Sequence, residues 1–167
     1  HRTEGTFRVL RDLGMPHVTL ILVMAVVLYD QRRRWRAGAV LAAATVGAGL
    51  AGTLIRLVAG RYRPDADHVL LAGGLKIIND GGNYWQLFRG FHEGSDLSFP
   101  SGHATLAFAT AAALTWLSPR GKWLFLVIAA GTAVSRVVMQ AHFYSDVLFG
   151  SALGWTIGWI VSAAVDK

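Results

Sequence analysis

The sequence predicts an all-α, integral-membrane helical bundle with about five to six transmembrane helices, folded as a single domain over residues 1–167. Three observations predict it. Hydrophobic residues make up 53% of the chain and mean hydropathy is +0.42, too apolar for an ordinary soluble domain of this size. Five apolar runs divide the chain, and three of them are long enough to cross a bilayer without help. The basic residues sit in short clusters between those runs, as they do in membrane proteins.

The formal charge of +6 raises nucleic acid as a partner. The basic residues form no stripe interleaved with stacking aromatics, so no nucleic acid partner is expected. Cysteine is absent, which removes disulfides and thiolate chemistry from consideration. The chain opens at His1 rather than at methionine, as a processed or trimmed chain would, and no signal peptide with a small-residue cleavage site is visible.

Residues 1–15 mix Phe7, Val9, Leu10 and Leu13 with charge, which suits an amphipathic helix lying in the membrane interface. A further span lost upstream is the other reading. The apolar runs are His17–Tyr29, Ala37–Ala59, Ala104–Leu117, Trp123–Ala141 and Val147–Val165. A bilayer core needs about 20 helical residues. The second, fourth and fifth runs meet that directly, whereas the first and third need their flanks, as Leu10–Tyr29 and Ser101–Ser118. Gly150, Gly154 and Gly158 recur every four residues in the last run, a spacing that lets helix backbones approach closely in lipid.

Arg32, Arg33, Arg34 and Arg36 fill the first short loop, and Arg120 and Lys122 the loop after the third run. The positive-inside rule makes that face cytoplasmic. The loop over residues 65–99 and the turn near His142 then face the extracytoplasmic side. That loop contains Val69–Leu71, Leu75–Ile78 and Tyr84–Phe91, broken at Gly73-Gly74 and Gly81-Gly82. Short interfacial helices capping a lipid-facing site would explain the pattern, with an ordinary connector as the alternative.

Three segments at the ends of apolar runs carry chemistry-bearing residues. Arg56 and Arg63 are seven apart, which on a helix returns them to one face, and Pro64 is expected to end that helix. Arg61 lies off that face and reads as a residue snorkelling to the headgroups. Pro100-Ser101-Gly102-His103 opens the third run. There serine is a favoured N-cap, glycine permits close approach, and the helix N-terminus attracts an anion. Arg136 closes the fourth run, and the chain must turn before His142, because six residues do not share a helical face. His142 and Asp146 are four apart, so the carboxylate can orient the imidazole and leave its other nitrogen as nucleophile or base. Zinc is the rival reading for His103, His142 and Asp146. The arginines favour a dianionic phosphate over a metal. His17, His68 and His92 read as interfacial or loop residues.

Together, Arg56-x6-Arg63-Pro64, Pro100-Ser101-Gly102-His103 and Ser135-Arg136-x5-His142-x3-Asp146 resemble the signature of the type 2 phosphatidic acid phosphatase superfamily. The departure is Arg56, where that family usually has lysine; a planar fork replaces a point charge. The resemblance implies a membrane lipid phosphatase with His142 attacking phosphorus to give a phosphohistidine and Asp146 orienting it. His103 would protonate the leaving group and then activate water. Arg56, Arg63, Ser101, Gly102 and Arg136 would bind the phosphoryl oxygens. No metal and no cofactor are expected, and the partners would be membrane lipids and a lipid phosphate substrate. Phosphatidylglycerol phosphate, undecaprenyl diphosphate, phosphatidate and lipid A 1-phosphate all fit that headgroup chemistry. The expected location is the inner membrane with the site facing outward. A phosphotransferase using the same phosphohistidine, or a non-catalytic phosphate binder, are the alternatives. Vanadate-dependent haloperoxidases share the motif but are soluble.

Overall fold

The computed structural model describes residues 12, 18, 21, 25, 34–64, 68–71, 74–77, 85–91 and 97–165. The predicted interfacial segment at 1–15 and the first apolar run lie outside them, apart from Asp12, Val18, Ile21 and Ala25. Four α-helices follow: α1 (Arg34–Ala59), α2 (Gly102–Leu117), α3 (Lys122–Val138) and α4 (Tyr144–Val165). Three of these segments, Trp35–Ala59, Pro119–Val138 and Tyr144–Val165, are long and apolar enough to cross a membrane. The expected five to six spans are therefore not reached among the described residues. At 16 residues α2 falls short of the about 20 that a bilayer core requires.

Helix α2 is the centre of the bundle, with α1, α3 and α4 packed around it. Its closest partner is α4, and the repeated glycines are the reason. A Cβ at Gly150 would sit 2.7 Å from the Ser101 carbonyl oxygen, and one at Gly158 would sit 2.7 Å from that of Ala109. At Gly154 it would overlap the Thr105 carbonyl. Backbones this close gain dispersion contacts that bulkier residues would forbid, which matters where lipid removes the hydrophobic drive to associate. Away from the seam, Val40, Leu41, Ala44 and Ala113 form a buried cluster with Leu114, Trp116, Val161 and Val165.

Five hydroxyls inside the helices are satisfied locally. Thr45, Thr105, Thr110, Thr115 and Ser162 each donate their hydroxyl to the carbonyl four residues earlier, so a dry interior leaves no unmet donor at these positions.

Two expectations for the segment between α1 and α2 fail. Helix α1 ends at Ala59 and not at Pro64, because Gly60 adopts a left-handed φ of 58°, the usual conformation after a helix terminus. Arg61 and Tyr62 then run extended, bridging Trp85 and Leu97. Within 65–99, Val69–Leu71 and Leu75–Ile77 belong to an antiparallel hairpin, β1 (His68–Leu71) with β2 (Gly74–Ile77), and not to interfacial helices. Branched and leucine side chains beside a diglycine favour that hairpin over a short isolated helix. Residues 85–91 form a strap fastened to the end of α1: the Phe88 and Gln86 amides donate to the carbonyls of Val58 (2.8 Å) and Gly60 (3.3 Å). The strap closes in a single 3-10 turn, Arg89–Phe91.

Candidate active site

The ends of α1, α2, α3 and α4 that carry the three segments meet at one end of the bundle. At the start of α2, Ser101 is the N-cap residue, but its hydroxyl makes no capping bond. That hydroxyl is fully buried without a hydrogen-bond partner, while the Ser101 amide donates to the Asp146 carbonyl at 3.0 Å. A buried, unmet hydroxyl beside a helix N-terminus is matched to an anionic ligand. Arg56 reaches the same place and donates from Nη2 to the Pro100 carbonyl at 3.0 Å. Gly102 makes that possible: a Cβ there would lie 2.6 Å from Arg56 Nη2. The glycine seats a guanidinium, a more specific job than the general close approach read from sequence. His103 falls in the first turn of α2 and is half-buried.

Arg136 lies in the last turn of α3. The helix ends there in a Schellman arrangement: Gln140 takes a left-handed φ of 54°. The Ala141 amide donates to the Arg136 carbonyl at 3.1 Å and the Gln140 amide to Val137 at 2.9 Å. This is the turn that the six-residue spacing required. It delivers His142, which is only 4% exposed, directly to the start of α4.

Asp146, fully buried, is the third helical residue of α4. Its Oδ2 accepts the Phe143 amide at 2.9 Å, the reaching-back half of a capping box. Its Oδ2 is 3.9 Å from His142 Nδ1, too far for a hydrogen bond. The nearer acceptor is the Ser98 carbonyl, 2.7 Å from Nδ1. A carbonyl only accepts, so Nδ1 carries the proton and Nε2 presents a lone pair. The expected orienter of the imidazole is thus joined, and at this distance outranked, by a backbone oxygen. Sequence gives no sign of Ser98, because the contact uses its main chain.

Burial pushes the His142 imidazole down to about 3 against a partial upward pull from its bond to Ser98, and the charges of Arg63, Arg136 and Arg56 lower it further. At neutral pH the ring is therefore uncharged. Arg63 was expected to share a helical face with Arg56. Gly60 ends the helix between them, yet both guanidinium charges still act on His142. Arg61 departs most from expectation. Its Nη1 donates to Asp146 Oδ1 at 2.5 Å and to Ser145 Oγ at 2.7 Å, and its guanidinium stacks on Trp85 (4.8 Å) and Phe143 (4.1 Å). It does not snorkel. Its partners are remote in sequence, so no local pattern reveals them. As for the zinc reading, no three His, Asp or Glu side chains gather as a donor group among the described residues.

The model of the PAP2 superfamily matches residues 35–167. The chain belongs to the PAP2 superfamily. It is 37% identical over 123 residues to a lipid A 1-phosphatase of Rhizobium etli, covering 73% of this chain and 46% of that protein. It is 35% identical over 144 residues to a decaprenylphosphoryl-5-phosphoribose phosphatase of Mycobacterium tuberculosis, covering 86% and 68%. The chain thus spans about half the length of the first relative and two thirds of the second. Its fold resembles the crystal structure of Aquifex aeolicus LpxE, with a TM-score of 0.61 at 20% identity, covering 95% of this chain and 83% of that one.

Proposed function

We propose that this PAP2 chain is a phosphatase that removes a phosphate group from a membrane lipid through a phosphohistidine on His142, without a metal. One observation carries the reading: a buried, uncharged imidazole, with Nδ1 held on the Ser98 carbonyl, lies within the field of three arginines. A neutral Nε2 is nucleophilic, and guanidinium groups stabilise the charge that collects on phosphoryl oxygens.

In the proposed reaction Nε2 of His142 attacks phosphorus and the bond to the lipid oxygen breaks, with His103 giving that oxygen its proton. Water then attacks the phosphohistidine, returning a proton to His103, and the N–P bond breaks to release inorganic phosphate. Arg56, Arg63, Arg136, the Ser101 hydroxyl and the first-turn amides of α2 bind the phosphoryl oxygens throughout. The substrates in the names of the Rhizobium etli and Mycobacterium tuberculosis relatives, lipid A 1-phosphate and decaprenylphosphoryl-5-phosphoribose, each bear a phosphate monoester on a lipid, which supports a monoester over a diphosphate. The basic clusters Arg32, Arg33, Arg34 and Arg36, and Arg120 with Lys122, support a cytoplasmic placement of the opposite bundle end, and so an outward-facing site.

The test is phosphate release from a panel of purified lipid phosphates, with and without an acceptor alcohol. His142→Ala is expected to abolish release while leaving a folded protein, and labelled lipid should leave acid-labile phosphate on the unaltered chain. Full turnover by the alanine variant would refute the mechanism. Transfer to the alcohol in preference to water would instead make the chain a phosphotransferase.

A further inference from the structure

The three-segment signature assigns Arg56, Arg63 and Arg136 and passes over Arg61. We infer that Arg61 is the positioning residue for the nucleophile: it holds both groups that orient His142 and does not bind phosphate. The inference rests on the proposed role of His142.

The geometry is specific. Two acceptors lie near His142 Nδ1: the Ser98 carbonyl at 2.7 Å and Asp146 Oδ2 at 3.9 Å. Arg61 is bonded to both residues that supply them. Its side chain donates from Nη1 to Asp146 Oδ1, and its main-chain carbonyl accepts the Ser98 amide at 2.7 Å. With Oδ1 held by Arg61 and Oδ2 taking the Phe143 amide, the Asp146 carboxylate has no freedom to rotate. The imidazole therefore meets a fixed carboxylate edge and a fixed carbonyl.

Arg61 is itself immobilised. Its guanidinium stacks on Trp85 from the strap and on Phe143 beside the nucleophile, and its backbone bridges to Trp85. A planar guanidinium suits two aromatic faces and one bonding edge at once; an ammonium does not. Charge separates it from the other arginines. Arg63, Arg136 and Arg56 direct their charge at His142, whereas the Arg61 guanidinium is ion-paired with the buried Asp146 carboxylate.

The experiment measures kcat, KM, vanadate inhibition and thermal midpoint for the unaltered chain, Arg61→Gln, Arg61→Lys and Asp146→Asn. Arg61→Gln should lower kcat by about 10- to 100-fold, the rate equivalent of one hydrogen bond to a charged group. KM and vanadate inhibition should stay within about threefold, since no phosphate contact is lost. Arg61→Lys should lie between Arg61→Gln and the unaltered chain. It decides the matter if the glutamine variant does not fold. Adding Arg61→Gln to Asp146→Asn should cost less than it does alone, because the two act through one group. Unchanged kcat in the folded variants would overturn the inference, and so would a rise in KM with weaker vanadate inhibition, which would make Arg61 a phosphate ligand. An unaltered chain without turnover would sink the phosphatase reading as well, so the two failures are distinguishable.

Discussion

The α2–α4 seam and helix α3 hold the site in opposite ways. Along the seam, Gly150, Gly154 and Gly158 bring α4 against the backbone of α2. His142 and Asp146 at the start of α4 are thereby locked to Ser101 and His103 at the start of α2. Helix α3 packs mainly on α2, and much of its surface, including Trp123, Leu124, Val127 and Val134, is exposed. It contributes Arg136 alone, through a helix terminus and a turn. Under the proposed phosphoryl transfer, the difference separates two needs: the reacting groups must be positioned closely, while a charge that stabilises oxygens tolerates a looser mount.

The largest effect should come from breaking the seam. Gly154→Leu places a branched side chain where even a Cβ overlaps the Thr105 carbonyl. Overpacking of this kind typically costs about 1–3 kcal/mol and more where backbone must move. The variant is expected to lose its monodisperse fold in detergent and all turnover. A wild-type thermal midpoint would show that the seam is not the close contact described.

Next in size is the loss of Arg136, which tests the looser mount. Arg136→Ala removes a charge proposed to bind phosphate, on a residue 6% exposed, without touching the seam. KM should rise by about 10- to 100-fold, the range for a hydrogen bond to a charged group. The thermal midpoint should move much less than for Gly154→Leu. A fall in kcat with KM unchanged would place Arg136 among the precisely held groups and erase the distinction.

The third effect follows from acid. His142 is neutral in the fold because its pKa drops from 6.5 to about 3. Between those values the unfolded chain binds a proton that the folded chain refuses. The contribution is intact above pH 6.5 and is lost as pH falls toward 3, at up to about 1.4 kcal/mol per pH unit. The thermal midpoint of the ligand-free protein should therefore decline through this window, and His142→Gln should flatten the decline. An equal slope in the variant would assign the acid sensitivity to other groups.

The same comparison marks how much was legible in the sequence. The seam was legible, because four-residue glycine spacing has one steric meaning in a helix. So was the turn before His142, because six residues cannot share a helical face. The meeting of the three segments was legible too, and the charges of Arg56, Arg63 and Arg136 do act on His142. Their route was not: Arg56 and Arg63 converge although Gly60 ends the helix between them, since a left-handed glycine outweighs a later proline. The Ser98 carbonyl was invisible because every residue has one. Arg61 was misread because its partners, Trp85, Phe143, Ser145 and Asp146, are fixed by tertiary contacts and not by local spacing.

The smallest predicted effect lies on the outer face of α3. Val127 is 68% exposed on a helix long and apolar enough to span a membrane. If that face meets lipid, trimming its side chain leaves no cavity, because acyl chains fill the space; the cost should stay within about 0.5 kcal/mol. Val127→Ala should thus match the unaltered chain in thermal midpoint, kcat and KM, whereas the same trimming inside a packed core costs several times more. A clear loss of stability would mean that α3 packs there against protein, and that the looser of the two supports is completed by a neighbour.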